Sequence, residues 1–451
     1  MFNIKFTKNK TFVLAFFILT FISIFLLLGN SLNFKYYFHQ DNVDSFMDLY
    51  NSVIAEKYSS KGSIVQGFYP PLSIVPYRIM GYGVNDINSA LPLRQQAFDL
   101  RNSVYGTFLM LVHVMLFLFS LFIIGFYAIK GNDRKKIFYS LLLSFSGLVL
   151  SSLERGNIIV YAFLFTILFV LLYQSENEKH KYIAYICLAI AANLKLYPAV
   201  FGLLLIDNKD WSGIIKCAVF FFLIYFISFL FCGFVFSKSE VSMANENLYI
   251  YASFDLFKPI FDVFRAAVFN VVNGFSWGER TSDYGSGLNF SIINLCKIGY
   301  LFILKLTHIN MENADIVKLY YVNHIIIYRI FTFLCFIMGL FSFFFVNEKW
   351  KKLAIPAFLC FFIPPTSWMY VLIFLIIPFI EFINTDQKSF FDNIYAVIFA
   401  LVFAIVIIPV KIPLSPYAVT GAFALQAGAL VFMYFCIFIS AVKNIVLNKN
   451  R

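Results

Sequence analysis

Long apolar runs dominate the chain, and polar residues are concentrated in the connections between them. A helix needs close to 20 apolar residues to cross about 30 Å of hydrocarbon. Twelve runs, several of them short, fit this template: 11–29, 104–129, 137–153, 158–173, 182–194, 196–206, 217–236, 321–346, 353–365, 367–383, 394–410 and 422–441. The pattern predicts an all-α integral membrane protein with about 12 transmembrane helices, organised as a single domain over residues 1–451.

The first run follows three lysines and therefore also resembles a signal peptide. Its length and the lack of a small-residue cleavage site favour a retained first span.

The distribution of Lys and Arg predicts the orientation of the spans. Basic residues collect on segments such as 130–136 and 349–352, whereas the short connections on the other side hold Arg155, Lys195 and Lys411. Since Lys and Arg accumulate on cytoplasmic loops, we expect both termini in the cytoplasm. Two long loops, residues 30–103 and 237–320, then lie outside.

The second outer loop is expected to carry interfacial helices. Phe254, Phe257, Phe261 and Phe264 recur at helical spacing opposite charged residues, which is typical of a helix lying in the membrane plane. Residues 288–306 are apolar enough to cross, but a crossing would place the basic segment 347–352 outside, against the charge rule. We predict a re-entrant or interfacial helix there, and a crossing is the alternative.

Composition supports a membrane protein and argues against a nucleic-acid partner. Hydrophobic residues make up 61% of the 451 positions and charged residues 13%, against about 25% charged in soluble domains. The net charge of +11 is explained by cytoplasmic Lys and Arg, because no soluble domain that could dock a duplex is visible.

An acidic cluster follows the first run. If this segment is helical, Asp41, Asp44 and Asp48 share one face, since positions i, i+3 and i+7 align. Clustered carboxylates favour proton uptake by one of them, which suits a general base. An exposed acidic helix with no chemical role is the alternative.

Three further motifs place polar or helix-breaking residues at the outer membrane surface: Tyr69-Pro70-Pro71-Leu72, Glu154-Arg155-Gly156-Asn157 and Lys195-Leu196-Tyr197-Pro198. Consecutive prolines fix an extended approach, although a rigid turn would need them too. Arg offers a fork and Lys a point charge to a phosphate. Asn157 is placed to cap the next span, whose N-terminus is an anion site. Snorkelling is the alternative for both cations.

These motifs, together with Met47-Asp48-Leu49-Tyr50-Asn51, resemble glycosyltransferase family 87 in their order and topology. The resemblance covers roughly residues 35–206. It implies the C-type glycosyltransferase fold, a polyprenyl-phosphate sugar as donor and a catalytic Asp in the first outer loop. It also implies a bacterial cytoplasmic (inner) membrane location with the active site facing the periplasm or outside.

The mechanism expected on this basis is a single displacement. Asp44 or Asp48 deprotonates an acceptor hydroxyl, and Asp44 is favoured because it lies closer to the first span. Arg155 and Lys195 hold the leaving phosphate with Asn157. The groove is expected to include Asp41, Tyr69, Pro70, Glu154, Gly156 and Tyr197.

Two residues in the second half extend the candidate site. His324 is expected to assist the leaving phosphate or to position the acceptor, and Arg329 to contact the donor phosphate; core packing of His324 is an equal alternative. No cofactor is required, although a divalent cation is compatible with the acidic cluster. The expected partners are the lipid-linked sugar, a glycan or glycolipid acceptor and membrane lipids.

Two other functions fit part of the pattern. An O-antigen-type polysaccharide polymerase shares the span number and large outer loops, but we do not associate it with the Arg155 and Lys195 motifs. A lipid-linked glycan transporter or flippase would favour internal repetition with broken midplane helices, which the sequence does not show.

Overall fold

The computed structural model describes residues 7–29, 45–58, 70–84, 87, 91–234, 289–306, 314–365, 367–387, 389–414 and 417–449. Most of them are helical. The helices of the first half are α1 Lys8–Gly29, α2 Met47–Tyr58, α3 Pro71–Gly81, α4 Leu93–Asn102, α5 Val104–Ala128, α6 Asp133–Ser144, α7 Gly147–Glu154, α8 Ile159–Leu172, α9 Glu178–Leu194, α10 Leu203–Asp207 and α11 Trp211–Phe234. Those of the second half are α12 Ile292–Leu306, α13 Ala314–Phe345, α14 Lys349–Phe362, α15 Ile376–Asn384, α16 Phe391–Phe403 and α17 Gly421–Lys449.

Short elements complete these segments. The 3-10 helices Tyr197–Gly202 and Met369–Leu375 precede α10 and α15. Strands β1 Lys411–Leu414 and β2 Tyr417–Thr420 pair as an antiparallel hairpin, with Ile412 opposite Val419.

Five helices in the described residues are long and apolar enough to cross a membrane: α1, α5, α17 and parts of α11 and α13. Helices α6 and α7 provide a sixth crossing if the pair, bent by 40°, counts as one span. The prediction of an α-helical membrane protein is therefore confirmed at this level. The predicted number of about 12 spans is not confirmed, because several of the remaining apolar helices are shorter than a crossing needs.

The chain divides into two compact units. The first unit comprises Met1–Asn42, Leu121–Ser152 and Gly278–Arg451, and the second comprises Val43–Ser120 and Leu153–Trp277. The organisation as one functional domain over residues 1–451 stays a prediction.

The core of the second unit forms around α2. Met47, Tyr50, Val53 and Ile54 are buried against residues of α3, α4, α5 and α8. Helix α3 begins at the paired prolines, where Pro70 has φ −58° and ψ 149° and Pro71 occupies the first helical turn. The predicted extended approach is confirmed, and it leads directly into a helix because a first-turn proline loses no hydrogen bond.

Aromatic packing organises the first unit. Phe12 of α1 lies 4.5 Å from the ring of Phe379 and 6.3 Å from that of Phe403, measured between centroids. At the N-terminus of α1, the Lys8 ammonium donates to the Thr385 hydroxyl at 2.9 Å. These contacts join α1 to α15 and α16.

The chain between α16 and α17 differs from the expected span at 394–410. Helix α16 ends at Phe403, and the following residues run without helix into the hairpin. Pro409 disfavours a helix at its own position and at the residue before it, but the helix already ends six residues earlier.

The segment around 288–306 is helical from Ile292 onward. Just before it, the Phe290 N–H donates to the Ser367 carbonyl at 2.7 Å, and the Asn289 side chain accepts from the Ser367 N–H at 2.9 Å. These bonds fix the start of α12 within the first unit. Whether α12 crosses the membrane stays a prediction, and so does the helix expected at 254–268, which lies outside the described residues.

Candidate functional site

The turn after α7 is hydrogen-bonded to the start of α2. The Phe46 N–H donates to the Glu154 carbonyl, and the Asp48 N–H donates to the Arg155 carbonyl at 3.1 Å. The first N–H groups of a helix have no partner within the helix. The turn supplies acceptors at this position, so residues 154–157 and the start of α2 form one local structure.

Asp48 is the centre of this structure. Its Oδ1 accepts from Nη2 of Arg155 at 2.7 Å, and its Oδ2 accepts from Nδ2 of Asn157 at 2.8 Å. The side chains of Asp48 and Arg155 are 22% and 19% exposed. The contacts hold the carboxylate in a fixed orientation that solvent still reaches.

Asn157 is held at both ends of its amide. While its nitrogen donates to Asp48, its Oδ1 accepts from the Ile159 N–H at 3.0 Å at the start of α8. This bond satisfies the first N–H of α8, although the residue at the cap position of the helix is Ile158. The Asn157 amide nitrogen contacts the Asp48 carboxylate, and phosphate binding by Asn157 stays a prediction.

Gly156 allows this close approach of the turn to α2. Its φ of +63° lies in the left-handed region, which glycine adopts without steric cost. A Cβ atom at this position would lie 2.9 Å from Cβ of Leu49. At the start of the same turn, the Glu154 side chain accepts from the Ser45 hydroxyl at 3.4 Å.

Lys195 ends α9 in an extended conformation, with φ −149° and ψ 134°. The chain then enters the 3-10 helix that begins at Tyr197, with Pro198 buried. Helices α8 and α9 pack together and are joined by a short turn, so they run antiparallel. Lys195 therefore lies at the same end of this helix pair as Asn157.

Two buried contacts fix α2 below Asp48. The Tyr50 hydroxyl donates to the Gly106 carbonyl at 2.9 Å. Burial raises the pKa of Tyr50 to about 12, although the positive charge of Arg101 acts in the opposite direction. Two turns beyond Asp48, Glu56 forms a buried ion pair with Arg78 of α3, with 3.3 Å between Oε2 and Nη2.

A polar pair on α5 and α8 was missed by sequence reasoning. His113 is buried, and its Nδ1 lies 3.1 Å from the hydroxyl of Tyr161, four residues after Asn157. The signal that would have found it is a histidine inside an otherwise apolar run, because an intramembrane ionisable residue needs a partner.

The other predicted residues lie in other parts of the chain or outside the described residues. Asp41, Asp44 and Tyr69 lie outside the described residues. His324 lies on α13, but the structure describes only its backbone. Arg329 of the same helix is exposed. Both belong to the first unit. Of the groove candidates, Pro70 is buried at the start of α3 and Tyr197 is half-buried. In the part of the chain that the structure describes, no group of three His, Cys, Asp or Glu residues could hold a metal ion.

Comparison with known proteins gives one match. The model of glycosyltransferase family 87 matches residues 68–251. This range includes Arg155, Asn157 and Lys195 and begins after α2. No curated protein and no solved structure matches the chain.

Proposed function

We propose that this chain, whose residues 68–251 are a glycosyltransferase family 87 domain, transfers a sugar from a polyprenyl-phosphate donor to a cell-surface glycan or glycolipid. The family implies glycosyltransferase activity. The observation that carries the finer proposal is the Asp48 carboxylate, held by Arg155 and Asn157 at the start of α2. We place this site on the outer face of a bacterial cytoplasmic membrane, with both termini in the cytoplasm.

Asp48 serves as the general base in this proposal. A base must be ionised, oriented and within reach of the hydroxyl it deprotonates. The two hydrogen bonds to Asp48 orient its carboxylate and leave its side chain 22% exposed. The acceptor oxygen attacks the anomeric carbon while its proton passes to Asp48, and the bond from that carbon to the phosphate oxygen breaks.

The leaving group is a lipid phosphate that gains negative charge as this bond breaks. Arg155 and Lys195 supply the positive charge, since both flank the outer end of the α8 and α9 pair. A charged group at membrane depth is costly unless it is partnered. A donor with its phosphate at the interface and its lipid in the bilayer fits cations at this depth.

Asp44 is the competing candidate for the base. If Asp44 takes the proton, Asp48 is a positioning residue that orients Arg155 and Asn157. The contacts of Asp48 favour it as the base, because they hold both of its oxygens in a defined direction.

The test is sugar transfer by the purified full-length protein, supplied with polyprenyl-phosphate sugars or with nucleotide sugars. We expect transfer only from the lipid-linked donors. Asp48→Asn should lower transfer by about two to four orders of magnitude, because the amide cannot accept the proton. Asp99→Asn, which removes an α4 carboxylate hydrogen-bonded to Gln95, is the matched control and should retain activity.

Other outcomes have defined meanings. Transfer from nucleotide sugars alone would refute the donor assignment. A large loss in Asp44→Asn with normal transfer in Asp48→Asn would reverse the roles of the two acids. Chain elongation from a lipid-pyrophosphate repeat would favour the polymerase, and lipid-linked glycan movement without transfer would favour the flippase.

A further inference from the structure

We infer that Arg155 changes partner during the reaction, from the Asp48 carboxylate to the lipid phosphate, and that Asp48 thereby limits how tightly the phosphate product is held. This inference rests on the proposed function. It follows from the fact that the cation expected to bind phosphate is already paired with the group expected to take the proton.

The charges around Arg155 balance throughout the exchange. Before transfer, Asp48 carries one negative charge and the phosphodiester of the donor carries one. The acceptor proton moves to Asp48, which becomes neutral, and the phosphate leaves as a monoester with a second negative charge. The total charge is unchanged, but the anion that attracts Arg155 has moved from the carboxylate to the phosphate.

The geometry allows the side chain of Arg155 to move while its backbone stays fixed. The Arg155 carbonyl accepts from the Asp48 N–H at 3.1 Å, which ties the two main chains together. Asn157 contacts the other carboxylate oxygen at 2.8 Å, so Asp48 keeps its orientation when the guanidinium leaves. The Arg155 side chain is 19% exposed and is therefore not enclosed by the protein.

Competition between two anions for one cation has a measurable consequence. Because linked equilibria are reciprocal, the factor by which the Asp48–Arg155 pair weakens phosphate binding equals the factor by which bound phosphate weakens the pair. Asp48→Asn removes the competing charge and resembles the protonated acid. It should therefore bind the phosphate product more tightly, although it transfers sugar poorly. A residue that acts only as a base would lower turnover with no gain in phosphate affinity.

The experiment measures the affinity of the full-length protein in lipid nanodiscs for undecaprenyl monophosphate. We expect Asp48→Asn to bind it about 5- to 150-fold more tightly than the wild type, the usual range for coupled sites. Arg155→Gln should bind weakly, and the double variant Asp48→Asn with Arg155→Gln should show no gain over Arg155→Gln. Asp99→Asn is the control and should match the wild type.

A second variant protects the test against misfolding. Asp48→Ser removes the same charge with a residue that the start of a helix accepts, and the same gain is expected. Equal affinity of the wild type and of whichever of these two variants folds would overturn the exchange. So would a gain that persists in the double variant, because it would not depend on Arg155.

The proposed function fails by a different result. If the wild-type protein transfers sugar from polyprenyl-phosphate donors and the Asp48 variants show no gain in phosphate affinity, only the exchange is wrong. If the wild type neither transfers sugar from these donors nor binds the lipid phosphate, the proposed function and the exchange are both wrong.

Discussion

Phe46 and Gly156 lie against each other, and both have left-handed backbone conformations, with φ of 59° and 63°. A Cβ atom on Gly156 would lie 3.2 Å from Cα of Phe46. The left-handed conformation is unfavourable for a bulky non-glycine residue, and such strain is concentrated at functional sites. Here the strained residue is Phe46, two positions before Asp48, whereas Gly156 adopts the same region without steric cost. The strained backbone therefore lies at the candidate site.

The first prediction concerns the cost of a side chain at Gly156. Gly156→Ala should lower the free energy of unfolding by about 1–3 kcal/mol, because alanine is strained at positive φ and its Cβ would contact Leu49 at 2.9 Å. Thermal unfolding in detergent micelles measures this change. Sugar transfer should also fall, since the turn holds Arg155 and Asn157.

Gly428→Ala is the matched control for this substitution. Gly428 is an exposed helical residue of α17, and a Cβ there would meet nothing within 4 Å. The control should be as stable as the wild type or slightly more stable, since alanine favours helix over glycine. If Gly156→Ala behaves like Gly428→Ala, the close packing of the turn on α2 is not present in solution.

The sequence predicted the membrane class and many helix positions because long apolar runs are a strong signal. The run at 104–129 corresponds to α5, and that at 158–173 corresponds to α8. It did not predict the bend between α6 and α7 or the hairpin after Phe403. These depend on where the chain packs, and proline positions give only a partial signal for them.

The site was predicted as a set of residues but not as a set of contacts. Asp48, Arg155 and Asn157 were all selected from the sequence, yet Arg155 and Asn157 were expected to bind phosphate rather than Asp48. The separation of 107 positions between Asp48 and Arg155 explains this, because one sequence contains no information on long-range pairing. The buried pair of Glu56 and Arg78 was not predicted for the same reason.

The second prediction concerns Arg155 in catalysis. Arg155→Ala should lower kcat/KM for sugar transfer by about 10²- to 10³-fold, the loss typical of removing one donor to a developing negative charge. Arg155→Lys should recover part of the loss, because lysine keeps the charge but not the planar fork. Steady-state transfer kinetics measure both variants. Wild-type kinetics in Arg155→Ala would mean that this arginine only snorkels to the membrane surface.

The third prediction concerns the buried ion pair of Glu56 and Arg78. Arg78→Met should lower the free energy of unfolding by about 3–5 kcal/mol, because it leaves the Glu56 charge buried without this partner. Adding Glu56→Gln should restore part of the stability. Thermal unfolding in micelles compares the three proteins. Lys181→Met, which breaks an exposed pair with Glu178, should unfold at the wild-type temperature; an equal loss in both single variants would contradict the burial argument.

The fourth prediction is a dependence on alkaline pH. The pKa of Tyr50 is raised to about 12 by burial, whereas an unfolded tyrosine titrates near 10. The unfolded state therefore loses this proton first, and the stabilising contribution, fully present below pH 10, is lost as the pH rises towards 12. One such proton contributes at most about 1.4 kcal/mol per pH unit.

Tyr50→Phe isolates this contribution. At pH 7 the variant should be less stable by about 1 kcal/mol, because it lacks the hydrogen bond to the Gly106 carbonyl. Between pH 10 and 12 its free energy of unfolding should fall less steeply than that of the wild type. Chemical denaturation at several pH values gives both slopes, and identical slopes would show that Tyr50 titrates in the folded protein as it does when unfolded.

The last prediction concerns orientation in the membrane. Arg94 of α4 and Arg134 of α6 are exposed, as is Lys349 at the start of α14, so a cysteine at any of these positions is open to a thiol reagent. In a background without native cysteines, an impermeant reagent added outside intact cells should modify Arg94→Cys only. Arg134→Cys and Lys349→Cys should react only after the membrane is permeabilised, because Lys and Arg clusters remain in the cytoplasm. Modification of Lys349→Cys from outside would instead show that residues 288–306 cross the membrane, and modification of Arg134→Cys would invert the orientation of the first half. Since the proposed donor chemistry requires Asp48 and α4 on the outer face, protection of Arg94→Cys from the outside reagent would also remove the site from the side where we place the reaction.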